Sequence, residues 1–220
     1  MRRLFGATGR GLIVAAGVAS LCLTAGEAAA WEQRKNTVSF GFEGGLSSME
    51  STGAYEREGS PTGPVRYPME NYRLGPSLGV RLRYSLDRSH AVGVSFEDLR
   101  FRRKSGVGRS SPREFQTNNF LLDYYVYLSR EDRLTPYLVL GAGLHRTTCR
   151  VAKDDNLIPP MGLAANFGGG LEYFVRPPFA IQAAVRGYYL SLRGSGEWSY
   201  DGPGMLVANV QLGFQYYLLK

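Results

Sequence analysis

The feature that most constrains this chain is an alternation of apolar with small or polar residues, repeated in eight segments. Val38, Phe40 and Phe42 alternate with Ser39, Gly41 and Glu43. Leu78, Val80, Leu82, Tyr84 and Leu86 alternate with Gly79, Arg81, Arg83 and Ser85, and Val92, Val94 and Phe96 with Gly93, Ser95 and Glu97. Phe120, Leu122, Tyr124, Val126 and Leu128 oppose Asn119, Asp123 and Tyr127; Leu138, Leu140, Ala142 and Leu144 oppose Gly141, Gly143 and His145. Leu163, Ala165, Phe167, Leu171 and Tyr173 oppose Asn166, Gly168, Gly170 and Glu172, and Ile181, Ala183, Val185 and Tyr189 oppose Gln182, Arg186 and Tyr188. The last segment sets Leu206 through Tyr216 against Asn209, Gln211, Gly213 and Gln215. Period two means strand, because successive side chains leave opposite faces of a pleated backbone. The third segment loses phase near Glu97-Asp98, after which Leu99 and Phe101 carry the apolar face, and a β-bulge is expected there.

The connections alternate in length. Short ones fall at 87–90, 130–134 and 176–178; long ones, rich in Gly, Ser, Pro and charge, fall at 46–75, 105–114, 152–160 and 194–204. An even number of strands of roughly ten residues, joined alternately by short turns and long loops, predicts an all-β, eight-stranded antiparallel transmembrane β-barrel of up-and-down topology. A soluble sandwich alternates too, but its apolar face points inward and its strands are shorter. Here the polar face is glycine-rich with isolated charges.

The first thirty residues, MRRLFGATGRGLIVAAGVASLCLTAGEAAA, have a basic start, an apolar run and small residues at Ala28-Ala29-Ala30. That layout is a secretory signal peptide, and the apolar run is short for a membrane span. Residues 1–30 are therefore expected to be removed and 31–220 to form the barrel domain. Cys22 follows Leu21 rather than a small residue, so lipoprotein processing is not expected. Removal of three arginines and Glu27 lowers the net charge from +7 by two, to +5. Only Cys149 then remains, which excludes an internal disulfide. With His90 and His145 as the other candidate ligands, neither a metal nor a cofactor is expected.

Closing eight strands leaves an interior just wide enough for side chains to fill. The inward face would hold Glu43, Arg81, Arg83, Glu97, Asp123, Glu172 and Arg186. Both signs are present, so the charges can pair, as buried charges must. The inward glycines leave room for Tyr125, Tyr127 and Tyr188. Asp123, the one carboxylate in FLLDYYVYL (120–128), belongs to this polar core.

These features resemble the eight-stranded outer-membrane barrels of Gram-negative bacteria, typified by the barrel domain of outer-membrane protein A and by the small OmpX and opacity-type proteins. The resemblance covers 36–220 and rests on the strand pattern, on TPYLVLGAG (135–143) and on the aromatic final strand QLGFQYYLLK. It implies an outer-membrane location, contact with lipid and lipopolysaccharide, delivery by the barrel-assembly machinery, and a monomer. Relatives often end on an aromatic residue that this machinery reads; here Lys220 holds that position and Tyr216 is the nearest aromatic in phase. Some relatives carry a peptidoglycan-binding domain after the barrel, which is not expected here.

No catalytic motif accompanies the strands, and no enzymatic activity is expected. The nearest match to the lipid A deacylases of small barrels, His145-Arg146-Thr147, lacks their serine, and His90 falls in a tight periplasmic turn. The glycine runs 168–170 and 141–143 lack the spacing of a phosphate cradle. Nucleic acid is not an expected partner of an exported barrel. Arg102, Arg103, Lys104, Arg109, Arg146 and Arg150 lie near outer strand ends, where a solvated rim or contact with lipopolysaccharide phosphates both fit. The longest connection carries Tyr55, Arg66, Tyr67 and Tyr72 and is the candidate binding loop for a host or extracellular ligand. The expected role is structural or surface-interacting, with a narrow channel for small or hydrophobic solutes as the alternative and lipid A modification behind it.

Overall fold

The computed structural model describes residues 35–51, 53–57, 65–68, 72–103, 114–128, 133–150, 156–157, 161–176, 178–192, 198–202 and 204–218. Eight long strands run in chain order: β1 (Thr37–Glu50), β2 (Gly75–Ser85), β3 (His90–Arg103), β4 (Glu114–Tyr127), β5 (Leu134–Arg150), β6 (Gly162–Arg176), β7 (Phe179–Leu190) and β8 (Met205–Leu218). Each pairs antiparallel with the next, and β8 pairs with β1 from Val38↔Leu218 to Glu50↔Leu206. The sheet is a closed up-and-down barrel with no free edge among these eight, as the alternation predicts. Closure satisfies backbone groups that hydrocarbon could not.

The two faces obey the alternation. Phe40, Leu82, Phe120, Leu140, Phe167, Val185 and Leu212 stand exposed on the outside, while Ser39, Arg83, Asp123, Asn166, Arg186 and Gln211 are buried inside. The exterior is apolar and the interior is charged, the reverse of a water-soluble sandwich. A face of this kind is stable only against lipid.

The strands run further toward the long-loop end than the alternation indicates. β5 continues to Arg150 and β3 to Arg103, because the hydrogen-bond ladder persists where the outer face has already turned polar and the apolar-out period has faded. Part of the 46–75 connection is also strand. Ala54–Arg57 pairs with Val65–Pro68 and with Trp198–Asp201 in a three-stranded antiparallel sheet, so the first and last long loops form one unit. Tyr72–Arg73 pairs with the end of β3, and Asn156–Leu157 with the end of β5.

The expected β-bulge in β3 is corrected. Register runs unbroken from Ala91 to Leu99 against β2 and from His90 to Arg102 against β4. Leu99 and Phe101 keep their inward parity and are fully buried. The interior itself turns apolar at that height: they pack with Phe115, Leu121, Tyr188, Leu190, Met205 and Val207 in one cluster. The register shift lies instead in β6, between Phe174 and Arg176 opposite Phe179.

Leu212, 65% exposed and midway along β8, faces the hydrocarbon. Leu212→Arg should lower the stability of the folded barrel by about 2–4 kcal/mol. Urea titration in lipid vesicles reads this, and an unchanged midpoint would show that the wall does not meet lipid there.

Candidate functional site: the filled interior and the outer rim

The interior is layered along the barrel axis. At the short-turn end Phe174, Ala180 and Tyr217 pack together. Ala91, Tyr125, Tyr127, Tyr137, Val139 and Ala184 form a second cluster above them. The ion pairs thread through the middle, and the apolar cluster around Leu99 and Phe101 closes the loop end.

The seven charged residues predicted for the interior come together in two groups. In the first, Arg81 pairs with Glu43 and lies 3.8 Å from Glu97, while Arg186 lies 3.2 Å from Glu97 and 3.6 Å from Asp123. In the second, Arg83 lies 3.0 Å from Glu172, donates to Tyr127 Oη at 2.9 Å, and donates to Gln182. Tyr217 donates to the other oxygen of Glu172. Each of the four carboxylates thus has a guanidinium within ion-pair reach, which a dry interior demands.

Asp123 is the best-satisfied carboxylate of the set. It accepts from Ser95 Oγ, Tyr125 Oη and Asn166 Nδ2, each at 2.9 Å. Gly141 stands beside it because a side chain there would collide with Asp123 and Asn166. Tyr125 is the hub: Arg83 lies 4.4 Å, Arg81 5.7 Å and Arg186 6.0 Å from its ring centroid. The ring face spreads three like charges while its hydroxyl binds Arg186 at 3.1 Å. Sequence reasoning placed Tyr125 inside as a space filler and missed this role. It set Ser95, Asn166 and Gln182 on the inward face without assigning them a part in the charge network.

His145 is buried, with Nδ1 3.0 Å from Thr147 Oγ1 and Nε2 3.0 Å from the Ser191 carbonyl. Both nitrogens are occupied by the protein's own groups, the arrangement of a structural histidine. His90 is at the exposed Leu86–His90 turn, 3.0 Å from Asp87. Asp87 also accepts from the backbone of Ser89 at 2.6 Å and of His90 at 2.8 Å.

At the rim, Arg102 and Arg146 are exposed on the outer face of β3 and β5. Arg103 and Arg150 belong to the strand ends by backbone pairing, and their side chains lie outside the described residues, as do Lys104 and Arg109. Lys220 and residues 1–34 lie outside them too. Tyr55 pairs with Tyr67 and Glu56 with Arg66 within the loop sheet, and Tyr72 with Arg103, by backbone register. The mouth is tied down by Tyr200, whose hydroxyl lies 3.0 Å from Ser51 Oγ and donates to the Gly204 carbonyl at 3.2 Å.

Solved structures match this arrangement. Neisserial surface protein A aligns at 13% identity over 81% of this chain and 96% of that one, with a TM-score of 0.58. The chain has the fold of the eight-stranded outer-membrane β-barrels. The outer membrane protein OprG from Pseudomonas aeruginosa aligns at 14% identity over 86% and 99% of the two chains, TM-score 0.52. No protein-family model matches the barrel and no curated protein matches it in sequence.

Two outcomes follow from this geometry. Asp123→Leu removes one of the two carboxylates beside Arg186 and the shared acceptor of Ser95, Tyr125 and Asn166, and should cost about 3–5 kcal/mol; an unaltered heat-shift of the folded band in detergent gels would contradict it. The backbone amide of Ser89, and then His90, hold the Asp87 carboxyl below its ordinary range. A lowered folded pKa gives stability that is present above the unfolded value and lost as pH falls. Asp87→Ala should therefore speed amide exchange at Ser89 and His90 at neutral pH, and the difference from the parent should shrink as pH falls below the ordinary aspartate range and the carboxylate is protonated. A difference that persisted in acid would assign the turn's order to something other than the carboxylate.

Proposed function

We propose that this protein is a non-conducting barrel of the Gram-negative outer membrane with a structural and surface-interacting role. The observation that carries the reading is the filled interior. Two ion-pair groups, a tyrosine layer and an apolar cluster occupy the lumen from one end to the other, and Tyr200 fastens a loop sheet over the mouth. An ion would have to break pairs worth several kcal/mol to pass. What is left to act is the outer wall and the loops.

In this reading residues 1–30 are the export signal, the barrel-assembly machinery inserts 31–220, and the folded protein is a monomer. The loop sheet carries the segments of Tyr55, Arg66 and Tyr67, and the short strand paired with the end of β3 carries Tyr72, toward an extracellular ligand. The basic residues at the rim, Arg102, Arg103, Lys104, Arg109, Arg146 and Arg150, face lipopolysaccharide phosphates. The occupied nitrogens of His145 favour a non-enzymatic role over lipid A modification.

Planar-bilayer recording of folded protein, with folding checked by boiled and unboiled gel lanes, tests the central point. The expected record is silent. Steady, reproducible single-channel steps would move a solute channel to the front.

A further inference from the structure

The outer wall of β3, β4 and β5 changes character abruptly. Phe96, Phe120 and Leu144 stand in line across the three strands by register. One residue pair nearer the loops, about 7 Å along the strand, the same strands carry Asp98, Asn118 and Arg146 in line. Met161, just before β6, closes the side of a groove of about 410 Å³ lined by these apolar residues below and by Asn118 and Arg146 above.

The charges of this row are not equivalent. Asp98 is engaged by Arg100 at 2.7 Å and by Gln116 at 2.9 Å. Arg146 is exposed and, among the described residues, makes no ion pair. An apolar trough at membrane depth therefore ends in a carboxamide and a guanidinium that is without an ion-pair partner among the described residues.

We propose that this groove is the seat of one phosphorylated, acylated lipid of the outer leaflet. An acyl chain lies along Phe96, Phe120, Leu144 and Met161, and the phosphate sits on the Arg146 guanidinium with the Asn118 amide beside it. The planar fork of arginine matches phosphate oxygens in pairs, and the half-desolvated boundary strengthens the attraction relative to water. A neutral lipid would leave Arg146 without a partner, and a free phosphate would leave the trough unfilled. The assignment rests on the outer-membrane reading above and narrows its rim contacts to one place.

The test uses the folded protein in nanodiscs doped with lipid A carrying both phosphates, or with the same lipid A dephosphorylated, followed by native mass spectrometry. Wild type should retain one phosphorylated lipid, and Arg146→Gln should reduce that retention about tenfold. Arg176→Gln, at an exposed arginine of the opposite, short-turn end, should leave it unchanged. The heat-shift gel confirms that each variant is folded. Equal retention of the dephosphorylated lipid, or equal losses in both arginine variants, would overturn the seat in favour of packing or diffuse charge. No retained lipid with a silent bilayer record would sink the seat and leave the plugged barrel standing; retained lipid with steady conductance would do the reverse.

Discussion

Everything in this structure depends on the pairing of β1 with β8. Without it the sheet would hold two open edges in hydrocarbon, each a row of unsatisfied amides and carbonyls. With it, eight strands enclose a lumen about as wide as the side chains that line it. That width is the constraint the interior residues must meet. It explains why glycine stands beside the largest polar groups, as Gly141 does beside Asp123 and Gly170 beside the Tyr137 ring.

A lumen so narrow cannot keep its charges hydrated individually, so they are neutralised by one another. The pairing is shared: Arg81 and Arg186 both reach Glu97, and three guanidiniums surround Tyr125. Sharing fixes relative strand positions on opposite sides of the barrel, since Arg186 and Glu97 are 89 residues apart and so are Arg83 and Glu172. In the proposed reading the same lattice that holds the wall together also closes it as a pathway, and this directs attention to the outer wall and the loops.

The two ends of the barrel are built differently. The short-turn end is closed by local bonds such as those Asp87 accepts from Ser89 and His90. The loop end is sealed by buried hydrocarbon, with Met49 and Tyr200 packed on the Leu99–Phe101 cluster. Outside that seal the strands continue into a sheet made by two loops distant in sequence. A rigid base of this kind lets the loops present their side chains at low ordering cost.

Parity along the chain determined a great deal here: the strand count, the closed antiparallel fold, and which residues face inward, Asp123 among them. It did so because a strand's side chains alternate by covalent geometry, whatever the surroundings. Parity also misled where composition was taken as a guide to direction. Leu99 and Phe101 are apolar and point inward, since the rule that apolar residues face lipid fails where the interior is itself dry. What tertiary structure alone decided is who meets whom: Arg83 with Glu172, Arg186 with Glu97 and Asp123, Tyr125 amid three arginines, Arg146 above a trough of Phe96, Phe120 and Leu144. Those meetings depend on strand stagger and closure, which bring together residues far apart in the chain and leave no trace in any one segment of it.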